Sequence, residues 1–381
     1  MVAAIRPAPF GAGRLLFQGH GGAYNSSRME AGDRRIANWA HRAIEAKWRG
    51  ARGGELIALR GDVSTRRFWR IAITDSSAAP ASAIVIDLGS EDLPLYARAL
   101  KLYPDPLPEP PWINLHRFLT ALGVPVPALY QWSAPDRMLM VEDVGSLALV
   151  DAARSNPAKA ADLYRDAVRE LMRFHLDATA CAHRECLAFQ VAYDERLFAW
   201  EMRRFVEFGL TAVVPGADAR ALEADLASLA GELGRLPRVF SHRDFHGNNI
   251  FVQGAVASPI MRIIDFQDAL MAPAAQDLAV LLTTRDTGAL ISPAMEDRLL
   301  DFYFTGLIRR GIATMSRDDF LKSYSLCVVQ HALKCIGLFV FLEREGKGEY
   351  AAYIPHALSQ ARRMLARLAP DFPNLRRVLS A

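Results

Sequence analysis

"SHRDFHGNNIFV" spans residues 241–252, and "RIIDFQDAL" follows at 262–270. Asn249 stands five positions after Asp244 and just before a short apolar run, and Asp265 closes a second, β-branched run. Phosphoryl transfer from a nucleotide needs a carboxylate that accepts or orients the proton of the attacking hydroxyl. It also needs oxygen ligands that hold magnesium against the phosphates. Asp244 suits the first task. Asn249 and Asp265 suit the second, because magnesium takes hard oxygen donors and a hairpin brings a loop and a strand end together. His242 and Arg243 are then expected to tie down the loop backbone. An Asp with an Asn five residues later is common by itself. The joint pattern H-x-D-x(4)-N, a short strand, then a strand ending I-I-D-F is much rarer, and it favours a phosphotransferase site over a neutral polar loop.

The surrounding chain has two textures. Residues 34–48 carry Ile36, Trp39, Ala40, Ala43 and Ile44 at helical spacing. Strand-like runs follow in "ELIALRG", "RFWRIAI", "SAIVIDLG", "LYQW" and "RMLMVEDVG", with a Pro-rich loop at 103–112 and a helix at about 113–122 between them. From about 147 the spacing turns helical, interrupted by the short strands "NIFVQ" and "MRIIDF", with helices resuming at 275–284, 294–310, 317–343 and 349–368. The expected fold is α+β and bilobal: a small β-rich N-lobe over 29–145 and a larger, mostly helical C-lobe over 146–381. Residues 1–28 read as a disordered tail or a misassigned start.

The chain has 381 residues, of which 51% are hydrophobic, enough for a large core. The net charge is +3 with basic residues spread along the chain, so no nucleic-acid partner is expected. Cys181, Cys186, Cys327 and Cys335 form no C-x-x-C pair, which points to reduced thiols and a cytoplasmic location. The longest uninterrupted apolar run, "CIGLFVFL" at 335–342, is too short for a bilayer, so no membrane association is expected. A monomer or weak homo-oligomer is the default.

These motifs resemble the aminoglycoside phosphotransferase and choline kinase-like superfamily, with its protein-kinase-like fold. "YDERLFAWEMRRF" (193–205), "DFQDA" (265–269) and "QHALKCIGLF" (330–339) are most similar to the anomeric N-acetylmuramate/N-acetylglucosamine kinases. The resemblance covers roughly 54–370. It implies ATP between the lobes, magnesium on Asn249 and Asp265, and a sugar in cell-wall recycling as acceptor. The alternatives are a phosphotransferase for an aminoglycoside, a choline-like or other small hydroxylated substrate, or a non-catalytic nucleotide-binding protein of the same fold.

By the same resemblance "RGDVSTRRF" (60–68) is the phosphate loop, with Ser64, Thr65, Arg66 and Arg67 toward the phosphates. An ordinary hairpin with solvated arginines is the bland alternative. "AIVIDLG" has Asp87 near the position where antibiotic kinases carry a phosphate-binding Lys, which leaves Arg66 or Arg67 as the replacement cation. The backbones of Val141 and Asp143 would meet adenine, with Met140 behind, although a plain buried strand reads the same way. His246 takes the position where protein kinases place a Lys, two residues after the catalytic Asp. Asp277 is expected to cap its helix and to bond the catalytic loop's backbone. Tyr193, Glu201, Arg204, Gln330 and Lys334 are candidates to border the sugar.

Overall fold

Bulky β-branched runs interrupted by turns build an antiparallel sheet in the first part of the chain. The computed structural model describes residues 31–59, 66–90, 93–103, 107–254, 259–285, 287–311 and 315–380. The expected tail at 1–28 and the candidate phosphate ligands Ser64 and Thr65 lie outside these residues. Strands β1 (Arg52–Leu59), β2 (Arg67–Thr74), β3 (Ser82–Asp87), β4 (Leu129–Ser133) and β5 (Met138–Glu142) pair antiparallel in the order β1-β2-β3-β5-β4. β3 carries "SAIVID" and is buried along almost its whole length, as an inner strand covered on both faces should be. The helix Ala31–Lys47 lays Ile36, Trp39, Ala40, Ala43 and Ile44 on Trp69, Ile71, Val85, Met138 and Met140. Gly53 permits this close approach: a Cβ there would stand 2.8 Å from Ile71 Cδ1 and 2.9 Å from Ile44 Cδ1.

The second part is helical, and its two short ladders frame the opening motif. Strand β6 (Arg238–Ser241) pairs with β9 (Leu270–Pro273), and β7 (Ile250–Gln253) pairs with β8 (Ile260–Ile263). The chain divides into two units that interleave in sequence and do not simply meet near residue 145. The first takes the described residues up to Ala99, Pro125–Leu149 and Asn248–Asp265. The second takes Leu100–Val124, Val150–Gly247 and Phe266 onward. The β7–β8 hairpin therefore belongs with the sheet, and the helix Pro111–Ala121 belongs with the helical unit.

The helix Arg317–Arg344 is the long core element of the second unit. By length and composition it is apolar enough to cross a membrane, but 89% of its apolar window is buried inside the protein, as in a core helix. Its Gly337 crosses the π-helical turn Phe205–Gly209 almost backbone to backbone. A Cβ on Gly337 would lie 2.5 Å from both the Arg204 carbonyl carbon and the Phe205 nitrogen. Gly337→Ala is therefore expected to cost about 1–3 kcal/mol in urea denaturation, since packed backbone gives little. Gly348→Ala, where a Cβ meets nothing within 4 Å, should stay within about 0.5 kcal/mol of the parent.

Candidate active site

β6 ends at Ser241, and the next two amides leave the ladder with no strand partner. Asp277 supplies one: its Oδ2 accepts from the His242 N–H and its Oδ1 from the Arg243 N–H, both at 2.7 Å. Oδ2 also meets His175 Nε2 at 3.0 Å, while His175 Nδ1 lies 2.7 Å from the Tyr303 hydroxyl. The Asp277, His175 and Tyr303 side chains are fully buried. Burial pushes the Asp277 carboxyl up, but the hydrogen bond and charge of His175 outweigh it and hold the group below the ordinary carboxylate range. Of the two roles expected for Asp277, the loop contact is observed and the cap is not. The helix Ala274–Thr283 starts after Pro273, and Asp277 sits inside its first turn, with its carboxylate committed to the loop.

The clamp fixes an unusual backbone. Arg243 has φ +77°, in the left-handed region that a side chain with a Cβ seldom enters, and such outliers persist only where neighbours over-determine them. Asp244 follows directly, and its carbonyl accepts from His246 N at 2.9 Å, closing a tight turn. Asp244 and His246 are 8% and 7% exposed, so both face a restricted environment. Gly247 then passes within van der Waals reach of Val150 and Tyr164, and a Cβ there would stand 3.3 Å from each.

In the first unit, the β7–β8 register sets Ile250 opposite Ile263, and Ile264 N donates to the Asn249 carbonyl at 2.9 Å. Asn249 and Asp265 therefore stand at the same end of one hairpin. Asp265 also has a left-handed φ, +65°, and its Oδ1 meets the Arg66 guanidinium at 3.0 Å. Among the described residues no group of three or more His, Cys, Asp or Glu gathers as a metal cage. One carboxylate and one amide oxygen fit magnesium all the same, because that ion takes one or two protein ligands and fills its octahedron with phosphate oxygens and water. The pairing of Asp265 with Arg66 shows that its carboxylate accepts a cation.

Sequence reading had proposed either Arg66 or Arg67 as the phosphate cation, and the two now separate. Arg67 binds Asp87 at 2.9 Å and lies over the Trp69 ring at 5.2 Å, while Arg35 reaches the same Asp87 oxygen at 3.4 Å. Asp87 is therefore an anchor for structural arginines, and Arg67 is occupied by it. The Asp143 side chain is similarly committed, receiving Arg70 through two bonds of 2.6 and 2.9 Å and Ser82 at 2.7 Å. β5 has neighbours on both edges. Val141 pairs with Ile84 on one side and Leu129 on the other, and Met140 is fully buried. Val141 is thus paired within the sheet, and strand pairing ends at Glu142, just before Asp143.

The candidate sugar contacts form a network centred on Glu201. Its Oε1 receives Arg243 Nη2 at 2.6 Å and faces Lys334 Nζ at 3.4 Å. Its Oε2 receives the Tyr193 hydroxyl and, at 3.1 Å, Gln330 Nε2. Burial alone pushes the Glu201 carboxyl up, but Lys334, Arg243 and the hydroxyl outweigh it and hold it at about 2. Tyr193, Glu201 and Gln330 are at most 3% exposed and brace the Arg243–Asp244 loop through this network. Arg204 packs its guanidinium 4.9 Å from the Phe341 ring. Lys334, with 18% of its side chain exposed, is the one of the five that reaches the surface. Sequence reasoning missed His175, which looks like any core histidine on an apolar helix. It also missed the Glu201–Arg243 pair, whose partners stand 42 residues apart.

Comparison with known proteins gives the family and the fold. The profile described as "Phosphotransferase enzyme family" matches residues 92–315. The chain is 25% identical over 334 residues to the N-acetylmuramate/N-acetylglucosamine kinase of Pseudomonas aeruginosa, covering 86% of this chain and 88% of that one. It is 24% identical over 332 residues to the protein of the same name from Pseudomonas putida, covering 84% and 86%. The crystal structure of choline kinase from Cryptosporidium parvum superposes with a TM-score of 0.58 at 11% identity, over 91% of this chain and 100% of that one, and shows the shared fold.

The Glu201 carboxyl titrates below its ordinary value of 4.5, so its stabilising contribution is complete above that value and is lost as pH falls toward about 2. Glu201→Gln should unfold about 3 kcal/mol more easily in urea at pH 7, because two cations lose their buried partner. The gap to the parent should narrow steadily below about pH 4.5. A gap that is constant down to pH 3 would contradict the charged network.

Proposed function

The chain belongs to the phosphotransferase enzyme family, and from that premise we propose that it is an ATP-dependent sugar kinase. Its acceptor is the anomeric hydroxyl of N-acetylmuramate or N-acetylglucosamine, and its product is a sugar 1-phosphate used in cell-wall sugar recycling. The names of the relatives, aligned over more than four-fifths of both chains, support the substrate class. The observation that carries the chemistry is the double amide clamp of Asp277, which immobilises the residues immediately before Asp244.

In this reading Asp244 accepts a hydrogen bond from the sugar hydroxyl and turns its oxygen toward the γ-phosphorus. Fixing that geometry is most of what such an enzyme does, since the phosphoryl group passes through a loose transition state with little covalent help from the protein. Asn249 and Asp265 hold the magnesium, which when bound neutralises phosphate charge. Arg66, seated beside Asp265, would turn to a phosphate oxygen were magnesium to occupy that carboxylate. His246, held in the turn by the Asp244 carbonyl, faces the transferred group in place of a lysine.

An ADP-release assay with ATP, magnesium and a panel of N-acetylmuramate, N-acetylglucosamine, kanamycin and choline tests the reading. Turnover is expected with the N-acetylated sugars. Asp244→Asn should lower kcat by about 10²–10⁴-fold. ATP with magnesium should still raise the melting temperature of that variant as it does for the parent. Turnover with kanamycin or choline alone, or an Asp244→Asn variant of parental activity, would overturn it.

A further inference from the structure

Arg66 and Arg67 are neighbours in the chain with different commitments. Arg67 opens β2 in register with Asp87 on β3 and binds it at 2.9 Å. Its guanidinium lies over Trp69, two residues on and so on the same face of the strand. Arg66 stands just outside the strand and reaches Asp265, 199 residues on, where its Nη2 lies 3.0 Å from Oδ1. The two side chains are 17% and 10% exposed, so salt and water screen this pair only weakly.

Asp265 is fixed by its backbone. Its φ is held at +65°, and the Ile264 N–H just before it donates to the Asn249 carbonyl at 2.9 Å. The carboxylate is thus set at one end of the β7–β8 hairpin with Asn249, the pair to which we assign magnesium. The cation that meets its Oδ1 is the protein's own. A divalent ion taking the same oxygen would meet that guanidinium at close range, and like charges around one carboxylate repel. The carboxylates at the ends of β3 and β5 are committed: Asp87 to Arg67 and Arg35, Asp143 to Arg70 and Ser82, Glu142 to Arg262 and the Ala128 amide. A nucleotide phosphate brings the acceptor that they do not offer, with oxygens suited to a guanidinium fork.

We infer that Arg66 is a built-in competitor for the magnesium site: it guards Asp265 against a metal ion alone and yields the carboxylate when a nucleotide phosphate takes its guanidinium. This rests on the kinase reading, with Asn249 and Asp265 as the metal ligands, and adds an order of assembly to it. Metal and nucleotide then favour each other's binding by the same factor, as linkage requires. Arg66 also keeps the Asp265 charge compensated, since a largely buried carboxylate without a partner is costly. Asp87 takes the neighbouring Arg67 out of the competition.

Manganese, whose free ion is counted by EPR, tests this without turnover. Arg66→Met should bind manganese alone on the order of 10-fold more tightly than the parent does. Its affinity for ATP with magnesium, measured by calorimetry, should instead fall on the order of 10-fold. Shifts of opposite sign separate a competitor from a residue that only holds the fold. Arg66→Lys, which keeps a cation, should lie closer to the parent in both measurements and guards against a variant that merely misfolds. Adding Asp265→Asn to Arg66→Met should abolish the gain, which locates it at this carboxylate. Manganese affinity that is unchanged or lower in Arg66→Met overturns the inference, and so does an unchanged affinity for ATP with magnesium, while both leave the kinase reading intact. Should the parent bind no ATP with magnesium, the kinase reading falls, and the manganese comparison still decides whether Arg66 competes for Asp265.

Discussion

A buried carboxylate that accepts from two consecutive backbone amides is the constraint on which the loop carrying Asp244 depends. Without Asp277 the N–H groups of His242 and Arg243 would be buried beyond the end of β6 with no partner there, at a cost of order 1–3 kcal/mol each. With it, Arg243 is held at positive φ immediately before Asp244. The carboxylate itself is made tolerable by His175, which is in turn steadied by Tyr303. A chain of buried polar groups on separate helices thus converges on a single turn of backbone. Pre-organisation of this kind is what phosphoryl transfer asks of a protein, since positioning carries most of the rate.

A second buried carboxylate does a related job from the other side. Glu201 holds the Arg243 side chain where Asp277 holds its amide, so one residue is fixed by both its ends. Burying such a charge is costly unless every oxygen is served, and here four donors from three segments serve two oxygens. The Gly337 crossing brings the long core helix close enough for Gln330 and Lys334 to take part. Packing that looks like core architecture therefore also serves a buried charge.

Much of this was legible in the sequence, for identifiable reasons. The strands of the sheet announced themselves through β-branched runs, and the long helices through their spacing. Asp244, Asn249 and Asp265 stood out because the chemistry restricts residue type and spacing together. Asp277 was recognised as a loop partner, though its supposed cap role failed because a Pro already starts that helix. Other features were hidden. The four-residue strands β6 and β9 are too short to carry a period, and the interleaving of the two units depends on which surfaces pair across more than a hundred residues. Tyr193, Glu201 and Gln330 were read as candidate substrate contacts because polar residues in a motif look functional, and their burial and mutual hydrogen bonds depend on packing that the local sequence does not show. Nothing in the local sequence distinguishes Arg66 from Arg67. The distinction comes from strand register, which sets Arg67 opposite Asp87.

The account's central claim is that this scaffold carries a phosphoryl group from ATP to the anomeric oxygen of an N-acetylated amino sugar. Proton-coupled phosphorus NMR of a reaction containing ATP, magnesium and N-acetylmuramate tests it most directly. The account predicts a new phosphomonoester resonance coupled to a single proton, the anomeric one, growing as the γ-phosphate signal declines. A phosphomonoester coupled instead to a CH₂ pair, or growth of inorganic phosphate alone, would contradict it.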